Sequence, residues 1–150
     1  METVTTSLRL GATLENLDAL SSAFQQFVAP FALDPAAIYQ MDLAASEAFS
    51  NIVRHGVNYD VQHRVDVTMS LSAGVITLTL TDSGCPIPAE ILRALADKPQ
   101  AFPEPGSLES WPESGIGLRL IYSMMDEVRY RSTDGRNELT LIKNATVASA

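Results

Sequence analysis

Apolar positions along the chain change period several times, and each change marks a candidate element. Thr5 to Leu10 reads as a short strand that Gly11 breaks. Thr13 is placed to cap a helix carrying Leu17, Leu20, Phe24, Phe27 and Val28, which Pro30 ends. Asp34 followed by Pro35 is a second helix start, because the carboxylate can cap free amides and proline is pre-set for the first turn. Gly56 marks the stop of that helix. Within it Ile38, Met41, Ala45, Ala48 and Ile52 recur at three- and four-residue spacing and form one core stripe.

The pattern then alternates. Val65, Val67, Met69 and Leu71 are followed by the turn Ala73-Gly74 and by the β-branched run Val75 to Thr81, an antiparallel hairpin. After Asp82-Ser83-Gly84 and the breaker Pro86-Ile87-Pro88, Ala89 to Ala96 fits a short helix with Glu90 in its first turn. Pro99, Pro103, Pro105 and Pro112 make a loop, and a loop of this length in a compact domain is usually functional. Gly115 and Gly117 open a last helix with Leu118, Leu120, Ile121 and Met124 on or near one face. Val128 to Arg131, the turn Asp134-Gly135 and Leu139 to Ile142 predict a second hairpin. These elements predict an α+β fold, a two-layer sandwich with helices on one face of a mostly antiparallel sheet. A single domain over residues 1–150 is expected.

Composition narrows the picture. With 150 residues, 46% hydrophobic and 19% charged, the chain can bury one core and lacks the signature of a disordered chain. Its apolar runs, such as Val75 to Leu80, are far short of the ~20 residues of a membrane helix. Met1 to Arg9 has no basic start followed by an apolar stretch, and Cys85 is the sole cysteine, so a cytoplasmic protein without disulfide or zinc site is expected. The net charge of −8 repels nucleic acid and anionic membranes, so neither is an expected partner. Any anionic ligand must be captured locally.

Three polar constellations stand out. Glu47, Asn51 and His55 are spaced by four residues, with Arg54 alongside, and share a helix face turned away from the core stripe. Such a face is most often simply solvated. Thr81-Asp82-Ser83-Gly84 ends an apolar strand; it is either a tight turn or a carboxylate facing an exocyclic amine, with glycine letting a flat ring approach. Cys85 beside it reads as a small buried apolar residue. Ser114-Gly115-Ile116-Gly117-Leu118 sets backbone amides at a helix N-terminus, where a phosphate can be held without basic side chains.

The order of these pieces resembles the N, G1 and G2 boxes of the gyrase, Hsp90, histidine kinase and MutL ATPase superfamily. They are Glu47-Ala48-Phe49-Ser50-Asn51 with Arg54-His55-Gly56, then Asp82-Ser83-Gly84-Cys85-Pro86, then Gly115-Ile116-Gly117-Leu118. Ser46-Glu47-Ala48 and Met125-Asp126-Glu127-Val128 are similar to the anti-sigma factor serine/threonine kinase branch. The resemblance covers nearly the whole chain and implies a Bergerat-type ATP-binding fold with an ATP lid at about residues 97–114.

It also implies roles. Glu47 would be the general base, Asn51 the Mg²⁺ ligand, and Asp82 the partner of the adenine amine, with Gly84 giving room for the base. Gly115, Ile116, Gly117 and Leu118 would line the phosphate side, with Arg54 and His55 nearby and Ile87 among the ATP contacts. Two departures stand against the family pattern: Pro86 in place of a second G1 glycine, and Asn137-Glu138-Leu139-Thr140 where a Gly-Thr often completes the adenine pocket. No ligand role is assigned at the second. The lid has only Lys98 as a cation.

The resulting expectation is an ATP- and Mg²⁺-dependent serine/threonine protein kinase acting as an anti-sigma regulatory factor. Its substrate would be a small anti-anti-sigma protein of the STAS type. A sigma factor as a second partner, and a homodimer, follow from the resemblance alone. A stand-alone ATPase and a nucleotide-gated binding module are the alternatives.

Overall fold

A computed structural model describes residues 2–97 and 112–147 of the chain. Five strands, β1 (Thr3–Gly11), β2 (Arg64–Ser72), β3 (Val75–Asp82), β4 (Glu127–Thr133) and β5 (Arg136–Asn144), form one sheet in the order β1-β2-β3-β5-β4. Every neighbouring pair is antiparallel. Alternation sets the two faces: Val65, Val67, Met69, Leu71, Ile76, Leu78 and Leu80 are buried, while the intervening positions are polar, the carboxylate of Asp66 and the hydroxyls of Thr68, Ser70, Thr77 and Thr79. On that outer side Ser7 bonds Thr68 and Thr79 bonds Thr140, each at 3.2 Å. The β2–β3 and β4–β5 hairpins turn through Ala73-Gly74 and Asp134-Gly135, all four with φ between 53° and 79°, a conformation that glycine adopts without cost.

Four helices, α1 (Leu17–Val28), α2 (Pro35–Asn51), α3 (Ala89–Asp97) and α4 (Pro112–Met124), complete the α+β fold. Asp34 caps α2 as expected, its carboxylate accepting from the Ala36 amide at 3.1 Å with Pro35 at the first position. Met41, Ala45, Ala48 and Ile52 of the expected stripe are buried, and Ile38 packs at the core's edge. α1 and α4 both pack against α2, which places α2 between them and over the sheet. Among the described residues no helix is long and apolar enough to cross a membrane.

Four local expectations are corrected. Thr13 makes no side-chain cap; a 3₁₀ turn over Leu14–Asn16 intervenes, and Asn16 donates instead to the Gly11 carbonyl at 2.8 Å. α2 does not run regularly to Gly56 but ends at Asn51 and continues as a single π turn, Ile52–Gly56. α4 begins at Pro112, so Gly115 and Gly117 lie inside its first turns and do not precede it. Cys85 is exposed, because the turn after β3 carries it to the surface of a cleft. Of the expected lid, residues 98–111 lie outside the described residues, Asp97 ends α3, and Pro112 starts α4.

The corner between α4 and β4 explains the Met125-Asp126-Glu127-Val128 run. Asp126 accepts from the Asn144 amide at 2.6 Å, and Lys143 donates to the Met124 carbonyl at 2.7 Å. These bonds tie the end of α4 to β5 and so fix how α4 lies across α2.

Candidate functional site

The C-terminal end of α2, the end of β3 and the start of α4 converge. Where α4 crosses α2, Gly117 faces Glu47 and Asn51. A Cβ on Gly117 would sit 2.8 Å from Glu47 Oε2 and 3.7 Å from both amide atoms of Asn51. The missing side chain therefore leaves these two polar groups uncovered from above. Asn51 is only 8% exposed, and its Nδ2 has no hydrogen-bond partner among the described residues. A buried amide left unpaired costs roughly 1–3 kcal/mol, which marks Asn51 as a group whose partner is a ligand.

A cleft opens beside this corner, with about 370 Å³ of empty space counted out to open solvent. α2 and its π turn supply Ala48, Asn51, Ile52 and Gly56. The turn after β3 supplies Asp82, Cys85 and Ile87, α4 supplies Leu118, and Tyr130 and Leu139, directly paired across β4 and β5, complete the wall. Apolar walls with a few fixed polar groups suit a flat heteroaromatic ligand.

The Asp82 turn is built twice over. Asp82 Oδ1 accepts from the Gly84 amide at 2.8 Å, so it does serve as a turn residue, and it also accepts from Asn137 Nδ2 at 3.0 Å. Neither bond uses Oδ2. A Cβ on Gly84 would collide with the Gly56 carbonyl, while the Cys85 amide donates to that same oxygen at 2.7 Å. Glycine at position 84 thus lets two backbone segments touch and joins the π turn to the end of β3.

Tyr130 accepts from the Ile87 amide at 2.9 Å and thereby holds the Pro86-Ile87-Pro88 segment against β4. Burial pushes the Tyr130 hydroxyl above its usual range; the Ile87 bond opposes this and the charge of Asp82 adds to it. The hydroxyl is therefore protonated and neutral at physiological pH.

Of the residues expected from sequence, the structure brings Asn51, Asp82, Ile87 and Leu118 to one cleft and sets Glu47 and Gly117 beside Asn51. Arg54 and His55 sit on the π turn, half-buried, and neither lines the cleft. Gly115 and Ile116 lie in the first turns of α4, where their side chains are not described. Gly117 lies within α4, in the turn that faces Glu47 and Asn51.

Sequence reasoning missed Tyr130, Leu139 and Asn137. Tyr130 and Leu139 had a signal, since both fall on the inward positions of their strands. Asn137 stands in the stretch that replaces the family's Gly-Thr, where no ligand role is assigned, and its pairing with Asp82 has no local signal because a polar residue next to a hairpin turn is commonplace.

No group of three or more His, Cys, Asp or Glu able to hold a metal exists among the described residues. Asn51, with Glu47 at its side, could hold a divalent cation of the Mg²⁺ kind, which keeps waters and takes one or two protein ligands together with substrate phosphates.

A profile of the histidine kinase-like ATPase domain matches residues 10–143, a span that contains α2, the Asp82 turn and α4. The chain belongs to this family. Within it the chain stands in the branch of the anti-sigma factor serine kinases. The anti-sigma F factor of Geobacillus stearothermophilus is 30% identical over 140 residues, 92% of this chain and 90% of that protein. Serine-protein kinase RsbW of Bacillus cereus (strain AH820) is 31% identical over 102 residues, 68% of this chain and 61% of RsbW.

Two solved structures share this histidine kinase-like ATPase fold. The RsbU and RsbW domains of Rv1364c from Mycobacterium tuberculosis match with a TM-score of 0.66 at 18% identity, covering 97% of this chain and 34% of that one. The SiaB-SiaC complex from Pseudomonas aeruginosa matches with a TM-score of 0.63 at 13% identity, covering 91% and 88%.

Proposed function

We propose that this protein is an ATP-dependent serine/threonine protein kinase acting as an anti-sigma regulatory factor, with a hydroxyl of a small anti-anti-sigma (STAS-type) protein as acceptor. The observation that carries this reading is the position of Asn51. It lines the apolar cleft with Asp82 and also stands beside Glu47 under Gly117, so one buried, unpaired amide joins the apolar cleft to a carboxylate. That layout fits a nucleotide lying with its base toward Asp82 and its phosphates toward Glu47. The near full-length similarity to an anti-sigma F factor supports the choice of partner.

The residues then divide the work. Asp82 accepts the hydrogen bond of an exocyclic amine, and Ile52, Leu118 and Leu139 exclude water around the ring. Asn51 would hold Mg²⁺ through its carbonyl oxygen and meet a phosphate oxygen through Nδ2. What ATP and Mg²⁺ supply at this site is a transferable phosphoryl group whose developing charge the metal offsets. Glu47 would accept the proton of the attacking serine or threonine hydroxyl as its oxygen bonds the γ-phosphorus, the bond to the β-phosphate oxygen breaks and ADP leaves. A sigma factor as a second partner, a homodimer and a cytoplasmic location belong to the same reading.

The test is to retain partners on this chain from its own organism and add γ-labelled ATP. Label on a serine or threonine of a retained small protein supports the kinase. Release of all label as inorganic phosphate would make the chain an ATPase. Nucleotide-dependent retention without turnover would make it a binding module.

A further inference from the structure

Behind Asp82, away from the cleft wall, lies a small buried polar network. Asn137, at the start of β5, is 2% exposed and is paired across the strands with Asp82 on one side and Ser132 on the other. Its Nδ2 donates to Asp82 Oδ1 at 3.0 Å and to the Gly84 carbonyl at 2.9 Å. Its Oδ1 accepts from the Ser132 hydroxyl at 2.7 Å. The amide's orientation is unambiguous, since two acceptors face the NH₂ end and one donor faces the oxygen. Every atom of the amide that can hydrogen-bond is used within the protein. Asn137 therefore does not bind ligand; it acts on the residue that does.

We propose that Asn137 is a positioning residue for nucleotide recognition: it locks the Asp82 carboxylate by one oxygen and the Gly84 carbonyl beside it, so that Oδ2 meets the base in a single orientation. The inference rests on the proposed binding of an adenine nucleotide in this cleft. A carboxylate on a single bond otherwise turns through a broad range of angles, and fixing it in advance removes that entropic cost from binding. The two acceptors commit the amide, because a flipped Asn137 would set its carbonyl against the Asp82 carboxylate and the Gly84 carbonyl. Asn137 stands at the point where a Gly-Thr often completes this pocket, so the chain anchors its carboxylate from the strand side by a device of its own.

Asn137→Asp gives a readout that a mere fold defect does not. The new carboxyl would face Asp82, and two like charges at hydrogen-bond distance drive one proton onto the pair. At high pH they repel and Asp82 is displaced. As pH falls and the pair takes up a proton, the new carboxyl can donate to Asp82 Oδ1 as the amide did. The other titratable groups around the clamp are Tyr130 on β4, Cys85 on the turn, and Arg131 and Glu138, which pair with each other at 2.9 Å. All are unchanged in the variant, so the ratio of variant to parent affinity isolates the engineered pair.

Binding of Mg²⁺ with a non-hydrolysable ATP analogue is measured by calorimetry at pH 5.5 to 8.5 for the parent chain, Asn137→Ala and Asn137→Asp, with melting curves alongside. The expected result is an affinity lower by roughly ten- to a hundredfold for Asn137→Ala, the range of a hydrogen bond to a charged group. For Asn137→Asp the loss should be largest at pH 8.5 and shrink toward the parent at pH 5.5. A parent that binds tightly, with variants that bind equally well or lose affinity without any pH trend, overturns the positioning role and leaves the cleft as the nucleotide site. A parent that binds no adenine nucleotide overturns the cleft assignment itself. If Asn137→Ala does not fold, the pH trend of Asn137→Asp decides alone.

Discussion

The two carboxylates at the site sit in different surroundings, and the roles proposed for them follow from that difference. Asp82 is 8% exposed and held through Oδ1, whereas no hydrogen bond ties Glu47 among the described residues and it faces the open position left by Gly117. A fixed carboxylate recognises; one with a free path to an incoming hydroxyl can take its proton. Glu47→Gln keeps size and should lower phosphotransfer by on the order of 10²–10⁴-fold, the usual worth of a general base, while ATP affinity and partner binding stay near the parent values. Single-turnover assays with partner in excess check this, and an unchanged rate would remove Glu47 from the chemistry. Asp82→Asn can keep a carbonyl oxygen for the Gly84 and Asn137 bonds but presents NH₂ where Oδ2 stood. It should cost ~1.5–3 kcal/mol in adenine nucleotide affinity with little change in melting temperature; calorimetry beside a thermal melt separates the two. The sequence revealed Glu47, Asn51 and Asp82 because their boxes are local. Asn137 stayed hidden because its partner lies 55 positions away, and such a pairing exists only once β3 and β5 lie side by side.

At the scale of elements, two glycines do opposite things. Gly84 stands against backbone, the Gly56 carbonyl, which cannot yield without opening the joint between the π turn and β3. Gly117 stands against the far end of the Glu47 side chain, which can swing aside. Gly84→Ala should therefore cost ~1–3 kcal/mol of stability through overpacking and weaken nucleotide binding with it. Gly117→Ala should leave the melting temperature unchanged or raise it, since alanine is better in a helix interior by about 1 kcal/mol, yet slow phosphotransfer by displacing Glu47. A destabilised Gly117→Ala, or a fully active one, would contradict this view of the α2–α4 contact. Strands, hairpins and the cap of α2 were legible because alternation, Gly-containing turns and Asp-Pro each report on their own few residues. The π turn after Asn51 was not, since nothing local distinguishes one extra residue per turn. Nor was the start of α4, where two glycines in the first turns are poor helix formers that packing against α2 overrides.

At the scale of the molecule, charge is the problem the site has to solve. The chain carries −8, and ATP brings several more negative charges to it. Among the described residues that line the cleft there is no lysine or arginine. Elsewhere Arg9 pairs with Asp66, Arg129 with Glu127, Arg131 and Arg136 with Glu138, and Lys143 with Asp126, so at least half of the 10 basic residues already face carboxylates. Long-range attraction cannot bring the nucleotide in, and affinity must come from short-range contacts once it arrives. On the proposed reading a divalent cation at Asn51 would offset the phosphates where they sit, which would make binding depend on the metal and not merely on salt. Removing Mg²⁺ with a chelator should weaken ATP by about tenfold or more, which corresponds to ~1.4 kcal/mol. Replacing Mg²⁺ with sodium chloride at equal ionic strength should recover only the part due to screening of the −8 field. Asn51→Ala should abolish the difference between Mg²⁺ and sodium while adenosine, which has no phosphates, still binds the Asp82 cleft. Calorimetry on the parent and Asn51→Ala with ATP and adenosine reads all of these. Full recovery of ATP affinity by sodium alone would leave Asn51 without a metal and assign the charge problem to general screening.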